Sequence, residues 1–373
     1  WPPEKMPITG MIMNLCIFGA VALGPTVGAV EAGAMTWRPL FWGVLAVAVL
    51  ALCFSLLTFE DDPPSDRSAP WDLVAITLAL LGCAAAFFGA GELQASARPS
   101  PAAIVPLTVG AAMLVTLVVY EFQIKRPLMP VKAAATTVPT TGIFVALTAS
   151  AASFGIMELV LESQHNASTP GRTAVYFLPE FAAALAVAGL FGALFRTRFT
   201  PVLAFSGMLA IVGSAALLLV VHPSGGWLVA AGTGMVGLGV AASVSPALFM
   251  TGFSMRSAQL QRIFAMIELM RGVTAFLVAP LLLFAAQVIG SSGVGVALWM
   301  CLGIAALGFL GGTGLYVAGC GRLQVPDLPR WQTEDEPAWE SPPLLARLRA
   351  AGNGRPPVLT GRAPERVRSP ASR

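Results

Sequence analysis

The chain has 373 residues, of which 56% are hydrophobic and 11% are charged, and its formal net charge is +3. Soluble domains carry about 25% charged residues, so this composition excludes a water-soluble protein and predicts an all-α integral membrane protein. The basic residues sit in loops and in the C-terminal tail, which argues against a nucleic-acid partner.

A helix needs about 20 apolar residues to cross a bilayer, and by that rule the chain contains about ten predicted spans. They cover roughly residues 8–30, 38–58, 71–93, 102–122, 138–161, 174–195, 201–221, 226–251, 262–288 and 292–318. Under strict alternation, most loop lysines and arginines fall on one side, which the positive-inside rule makes cytoplasmic. Because the number of spans is even, we expect both chain ends in the cytoplasm.

The first predicted span contains the pair Gly24-Pro25, followed by Gly28. Proline removes a backbone donor and bends the helix, and glycines let a neighbouring helix approach closely. This stretch resembles the antiporter motif on the fifth helix of proton-coupled efflux pumps of the major facilitator superfamily. Gly24, Pro25 and Gly28 are in register with that motif, and Ala29 replaces its last glycine. The alternative is a kinked, tightly packed helix with no role in transport.

Other segments resemble the fourteen-helix drug:proton antiporter branch of that superfamily. Residues 36–42, Thr-Trp-Arg-Pro-Leu-Phe-Trp, resemble the entry to its sixth helix. Trp71-Asp72, residues 121–128 and residues 176–179 resemble the branch in the same order along the chain. The resemblance implies a major facilitator fold with an incomplete first bundle, two extra helices and a complete second six-helix bundle.

The same resemblance divides the chain into four parts. Residues 1–58 would be the last two helices of the first bundle, 59–131 the two extra linker helices, and 132–320 the second bundle. Residues 321–373 are rich in proline and arginine and are predicted to be a disordered cytoplasmic tail. Because a span follows Trp1 almost at once, we expect that four N-terminal helices are missing and that the chain does not transport alone.

Charged residues inside a span are costly and are therefore functional candidates. Glu180 and Glu158 are predicted to line one outward vestibule, where a carboxyl can hold a proton or meet a cationic substrate; a snorkelling carboxylate is the alternative for Glu158. Glu268 and Arg271 are three residues apart, so their side chains are expected to pair on one helix. The pair is either a salt bridge that fixes helix packing or a gate that changes between transport states.

A stripe of small residues runs along the eighth predicted span at intervals of four: Thr233, Gly237, Ala241 and Ser245. Such a stripe is typical of a close helix–helix contact. The five cysteines lie singly in or at the end of apolar runs, without metal spacing or a paired pattern. The sequence therefore predicts no metal site and no cofactor.

These observations favour a proton-coupled secondary active transporter that exports small drug-like or amphipathic compounds by alternating access. The expected location is the bacterial inner (plasma) membrane, and the expected partners are a small-molecule substrate, protons and the lipid bilayer. Alternatives are a permease of the same fold for another small solute and a non-functional truncated product. An enzyme is not expected, because the sequence has no histidine cluster and no nucleophile–base pairing.

Overall fold

The structure is a computed structural model that describes residues 3–34, 38–58, 72–124, 127–221 and 226–346; the side chains of residues 165–167 are outside the description. Within these ranges the regular secondary structure is helical, apart from one isolated antiparallel bridge between Thr136 and Pro343. The helices are α1 Met6–Asn14, α2 Ala20–Gly33, α3 Arg38–Thr58, α4 Leu73–Ser96, α5 Pro101–Gln123, α6 Val131–Ala134, α7 Thr137–Ala167, α8 Pro170–Leu194, α9 Thr200–Val221, α10 Trp227–Phe253, α11 Leu260–Ile289, α12 Gly293–Ala318 and α13 Leu328–Thr333.

Ten helical segments of the described chain are long and apolar enough to cross a membrane, which confirms the predicted number of spans. The first of them joins α1 and α2 through a π-helical turn, Leu15–Gly19, into one segment from Met6 to Gly33. Local sequence explains several ends. The carboxylate of Asp72 accepts a hydrogen bond from the Ala75 amide at the start of α4, and the Ser100 hydroxyl caps α5 in the same way.

Helices α7 to α12 pack against one another and form the main core, with α10 in contact with α7, α8 and α9. Helices α4 and α5 form a separate hairpin that contacts α11 through α4. The hairpin is closely packed at Gly89 and Gly110, where an added methyl group would overlap backbone atoms of the opposite helix. Helices α1 and α2 lie along α8. Helix α3 has no buried residue, which leaves its whole apolar surface for lipid or for other helices.

Helix α8 begins earlier than the sequence predicted. It starts at Pro170 rather than near residue 174, because proline is well tolerated in the first turn of a helix. Glu180 therefore lies ten residues into the helix, about 15 Å from its start at 1.5 Å per residue. In a 30 Å hydrocarbon layer that the helix enters at Pro170, Glu180 would be close to the middle, whereas the sequence had suggested a shallower position.

The prediction of disorder from residue 321 onward is wrong for residues 321–346. This segment contains α13 and buries the side chains of Trp331 and Trp339. Both indole rings meet the ring of Phe253 edge-on, with centroids 5.4 Å and 5.6 Å away. The prediction of disorder rested on the average composition of the whole tail, and that average gave no weight to Trp331 and Trp339 near its beginning. Residues 347–373 lie outside the described part of the chain.

Candidate functional site

A cavity of about 840 Å³ lies between α2, α7 and α8. Gly24, Pro25 and Gly28 line it from α2, so the three motif residues share one open surface. A methyl group added at Gly24 or at Gly28 would meet nothing within 4 Å among the described atoms. The expected close approach of a neighbouring helix to these two glycines is therefore not made by the described residues, and the motif faces free space instead.

Acidic side chains line the opposite wall of this cavity. Glu158 and Glu162 lie four residues apart on α7 and both border the space, together with Gln94 of α4. Glu158 and Glu162 are both exposed. Their carboxylates place negative charge at the wall of the cavity, which would attract a cation. Sequence reasoning singled out Glu158 and missed Glu162, although the spacing of four residues on one helix places both on the same face.

Glu180 is not among the residues that line this cavity. It is fully buried where α8 meets α10, and neither carboxylate oxygen has a hydrogen-bond partner among the described residues. Its Cγ atom and backbone lie directly beside Gly237, where an added methyl carbon would be 2.7 Å from that Cγ atom. The structure therefore separates Glu180 from Glu158, which the sequence had placed in one vestibule.

Glu268 and Arg271 form the expected pair on α11. The Nε atom of Arg271 donates to Oε2 of Glu268 at 3.1 Å, and a terminal guanidinium nitrogen donates to the same oxygen. The guanidinium group of Arg271 also lies over the ring of Phe18, with its Cζ atom 5.8 Å from the ring centroid. Because Phe18 belongs to the π-helical turn between α1 and α2, the charge pair links α11 to the first span.

The stripe of small residues on α10 faces α8 and α1. The Thr233 hydroxyl donates to the backbone oxygen of Tyr176 at 2.6 Å, and Gly237 lies against Glu180. The backbone oxygen of Ala241 accepts a hydrogen bond of 3.3 Å from the side chain of Asn14, and Ser245 is 2% exposed. Sequence reasoning missed Asn14, although a lone amide in an apolar run indicates a polar contact between helices.

Comparison with known proteins adds to this geometry, although no protein-family model matches the chain. The lincomycin resistance protein LmrB of Bacillus subtilis is 31% identical over 137 residues, which are 36% of this chain and 28% of that protein. The multidrug resistance protein Stp of Mycobacterium tuberculosis is 25% identical over 245 residues, 65% of this chain and 45% of Stp. The uncharacterized MFS-type transporter YubD of Bacillus subtilis is 22% identical over 225 residues, 59% and 43% of the two chains.

The chain is thus similar to MFS-type transporters. It spans less than half of the length of the curated relatives that it matches. Their names describe transport or drug resistance and not an enzymatic reaction. The ten spans and these relatives together support a multi-pass membrane protein with the major facilitator fold. In the described ranges, the histidine, cysteine, aspartate and glutamate side chains form no group of three that would hold a metal ion.

Proposed function

We propose that this chain is a ten-helix part of a proton-coupled exporter of small drug-like or amphipathic compounds that works by alternating access. The observation that supports this proposal most is the cavity between α2 and α7, which has the Gly24, Pro25 and Gly28 face on one wall and two carboxylates on the other. A space of this size accommodates a drug-sized molecule. The similarity to proteins named for lincomycin and multidrug resistance supports export as its direction.

We further propose that the helices divide as the sequence resemblance implies. The first span and α3 would be the last two helices of a first bundle, α4 and α5 the extra pair, and α7 to α12 the second bundle. The α4–α5 hairpin, which meets the other long helices through α4 and α11, and the mutual packing of α7 to α12 support this division. The exposed surface of α3 and the open glycines of α2 suggest that four further helices are needed for transport.

Glu180 is our candidate for the proton carrier. Moving an ionised carboxylate out of water costs several kcal/mol unless it is paired, and Glu180 has no partner among the described residues. The side chain would therefore carry a proton in this state and release it when separation of α8 and α10 admits water. One proton that moves down a potential of 100 mV releases about 2.3 kcal/mol, enough for a more than tenfold accumulation of substrate.

Carbodiimide labelling tests this role, because dicyclohexylcarbodiimide reacts with protonated carboxyl groups in apolar surroundings. In proteoliposomes at pH 7, we expect peptide mass spectrometry to find the label on Glu180 and not on the exposed Glu158. The label should disappear in Glu180→Gln. Labelling of Glu158 with Glu180 untouched would contradict the assignment of the proton to Glu180.

Transport itself is tested in inverted membrane vesicles with the fluorescent cation ethidium. One set of vesicles contains the gene's complete reading frame and the other contains residues 1–373 alone. We expect the complete frame to drive uptake that a protonophore abolishes, and we expect no uptake with residues 1–373. Uptake by residues 1–373 alone would refute the need for further helices. Uptake that is insensitive to the protonophore would refute proton coupling.

A further inference from the structure

Residues 321–346, which we call the clasp, cover one end of the helix bundle. Seven aromatic rings of the described residues pack in a continuous group at this end, with neighbouring centroids 5.0 Å to 5.6 Å apart: Phe191, Phe195, Phe249, Phe253, Phe264, Trp331 and Trp339. The clasp supplies the two tryptophans. Because α8, α10 and α11 supply the other rings, the clasp completes an aromatic layer that joins the ends of three helices.

Hydrogen bonds attach the clasp to the backbone of these helix ends. The indole N–H of Trp331 donates to the Met255 carbonyl at 2.8 Å, and the amide of Trp339 donates to the Phe253 carbonyl at 2.9 Å. The carboxylate of Asp335 accepts from the Ser257 hydroxyl at 2.8 Å and from the Ala258 amide at 3.0 Å. These bonds join the clasp to the end of α10 and to the segment that leads into α11.

A second set of hydrogen bonds attaches the clasp to the start of α7. The amide of Thr137 donates to the Pro342 carbonyl at 3.0 Å, and the amide of Val138 donates to the Ser341 hydroxyl at 3.0 Å. The first amides of a helix have no partner within the helix, so the clasp satisfies donors that would otherwise require water. The clasp thus bridges α7 and α10 at the same end of the bundle.

The clasp also reaches the first span. The side-chain amide of Gln332 lies 3.5 Å from the sulfur of Met6, and α13 contacts residues Pro3–Lys5. In the same region, Gly10 of α1 packs directly on the ring of Phe195. The clasp therefore holds the start of α1 against the C-terminal end of α10 and the start of α11. Both α10 and α11 belong to the other half of the proposed transporter.

The cavity between α2, α7 and α8 lies at the opposite end of the bundle from the clasp. The cavity is bordered there by residues at the ends of α2 and α7 and at the start of α8: Ala32, Gln164 and Pro170. Aromatic rings thus cover the ends of α8, α10 and α11 at the clasp end, whereas the cavity between α2, α7 and α8 lies toward the other end. An alternating-access transporter opens its two ends in turn, so the clasp end must separate at some point in the cycle.

We propose that the clasp is a latch that holds this end closed, and that its release from α7, α10 and the start of α11 must precede opening. This proposal rests on the proposed transport function, because the path that the latch would close is part of that function. The separation itself is a movement of α1 away from α11, and it can be measured in residues 1–373 without any transport assay.

The experiment places spin labels at Lys5→Cys and Arg262→Cys in nanodiscs, in a background with the five native cysteines replaced by alanine. Both positions are exposed at the clasp end. We expect one narrow distance with the clasp intact and a second, longer distance in Trp331→Ala/Trp339→Ala. The matched control is Trp299→Ala, because Trp299 is 64% exposed on α12; this control should retain the single distance.

Hydrogen exchange shows whether the clasp has been released. The amides of Thr137 and Trp339 should exchange about tenfold faster or more in the tryptophan variant, because their partners are clasp contacts. Release with an unchanged label distance would overturn the latch and make the clasp a passive cover. If the tryptophan variant does not fold, Asp335→Ala takes its place, because it removes only two hydrogen bonds of the clasp. Its control is Asp335→Asn, which keeps an oxygen acceptor. Only Asp335→Ala should lengthen the distance between the two spin labels. A latch confirmed by distance in residues 1–373, together with a complete reading frame that moves no ethidium, would show that only the transport proposal fails.

Discussion

The contact between α8 and α10 predicts a sharp difference between two glycine-to-alanine variants. A methyl carbon on Gly237 would lie 2.7 Å from Cγ and 2.8 Å from Cα of Glu180, and closer still to the Glu180 carbonyl oxygen. Carbon atoms pack best at about 3.5–4.0 Å, so α8 must move by about 1 Å to admit it. Overpacking of this kind costs about 1–3 kcal/mol. The control is Gly303→Ala on α12, because Gly303 has open space around it.

Alanine is a better helix former than glycine by about 0.8–1.0 kcal/mol, and this gain is the same in both variants. The unfolding free energy of Gly237→Ala should therefore be lower than that of Gly303→Ala by about 1–3 kcal/mol. Reversible unfolding in mixed detergent micelles, followed by circular dichroism, measures the difference. Equal stability of the two variants would show that α8 and α10 are not in backbone contact at Glu180, and the burial of that carboxyl would then need another explanation.

Three further predictions concern other parts of the molecule. Gly89→Ala should be less stable than Gly91→Ala by about 1–3 kcal/mol in the same unfolding assay, because only Gly89 lies against the backbone of α5. Replacing Arg271 by alanine should lower the free energy of unfolding by about 1–3 kcal/mol, because it leaves the carboxylate of Glu268 without its donor. If the pair fixes packing, the exchange Glu268→Arg/Arg271→Glu should recover most of this stability. A stable exchange variant that abolishes ethidium export by the complete reading frame would favour a gate. The Ala258 amide and the Ser257 hydroxyl lower the pKa of Asp335. The contribution of this carboxylate to clasp binding should therefore be constant above about pH 4 and be lost at lower pH. A red shift of tryptophan emission during acid titration measures the loss, and a red shift already at pH 6 would contradict the prediction.

The spans were predictable because lipid imposes a simple requirement on the sequence. Each segment that crosses the membrane must satisfy its own backbone and present apolar side chains along about 30 Å. Hydropathy alone therefore located ten segments, and the described residues contain ten helical segments long and apolar enough to span a membrane. The π-helical turn at Leu15–Gly19 was not predictable in the same way, because its residues are as apolar as those of the helices on either side.

The candidate site was less predictable because it depends on which helix faces which. The pairing of Glu268 with Arg271 follows from their spacing on one helix, and the structure contains it. The separation of Glu180 from Glu158 depends on the rotation of α8 against α10, which no local pattern encodes. The order of residues 321–346 depends on two tryptophans that find the ring of Phe253, more than 70 positions earlier in the chain.

The glycines within the spans show why the sequence alone cannot predict where the site lies. At Gly89 and Gly237 the missing side chain permits backbone contact with another helix, whereas at Gly24 and Gly28 the same absence borders an open cavity. The opposite face of α2 is anchored, since Ala22 is buried and the Thr26 hydroxyl donates to the Ala174 carbonyl of α8 at 3.4 Å. Among the described residues, the helix is thus held on one side and makes no contact at its two glycines. Proline removes one backbone hydrogen bond from α2 at Pro25. Because the described residues pack α2 on one face only, we expect it to change its angle more easily than the other helices that line the cavity.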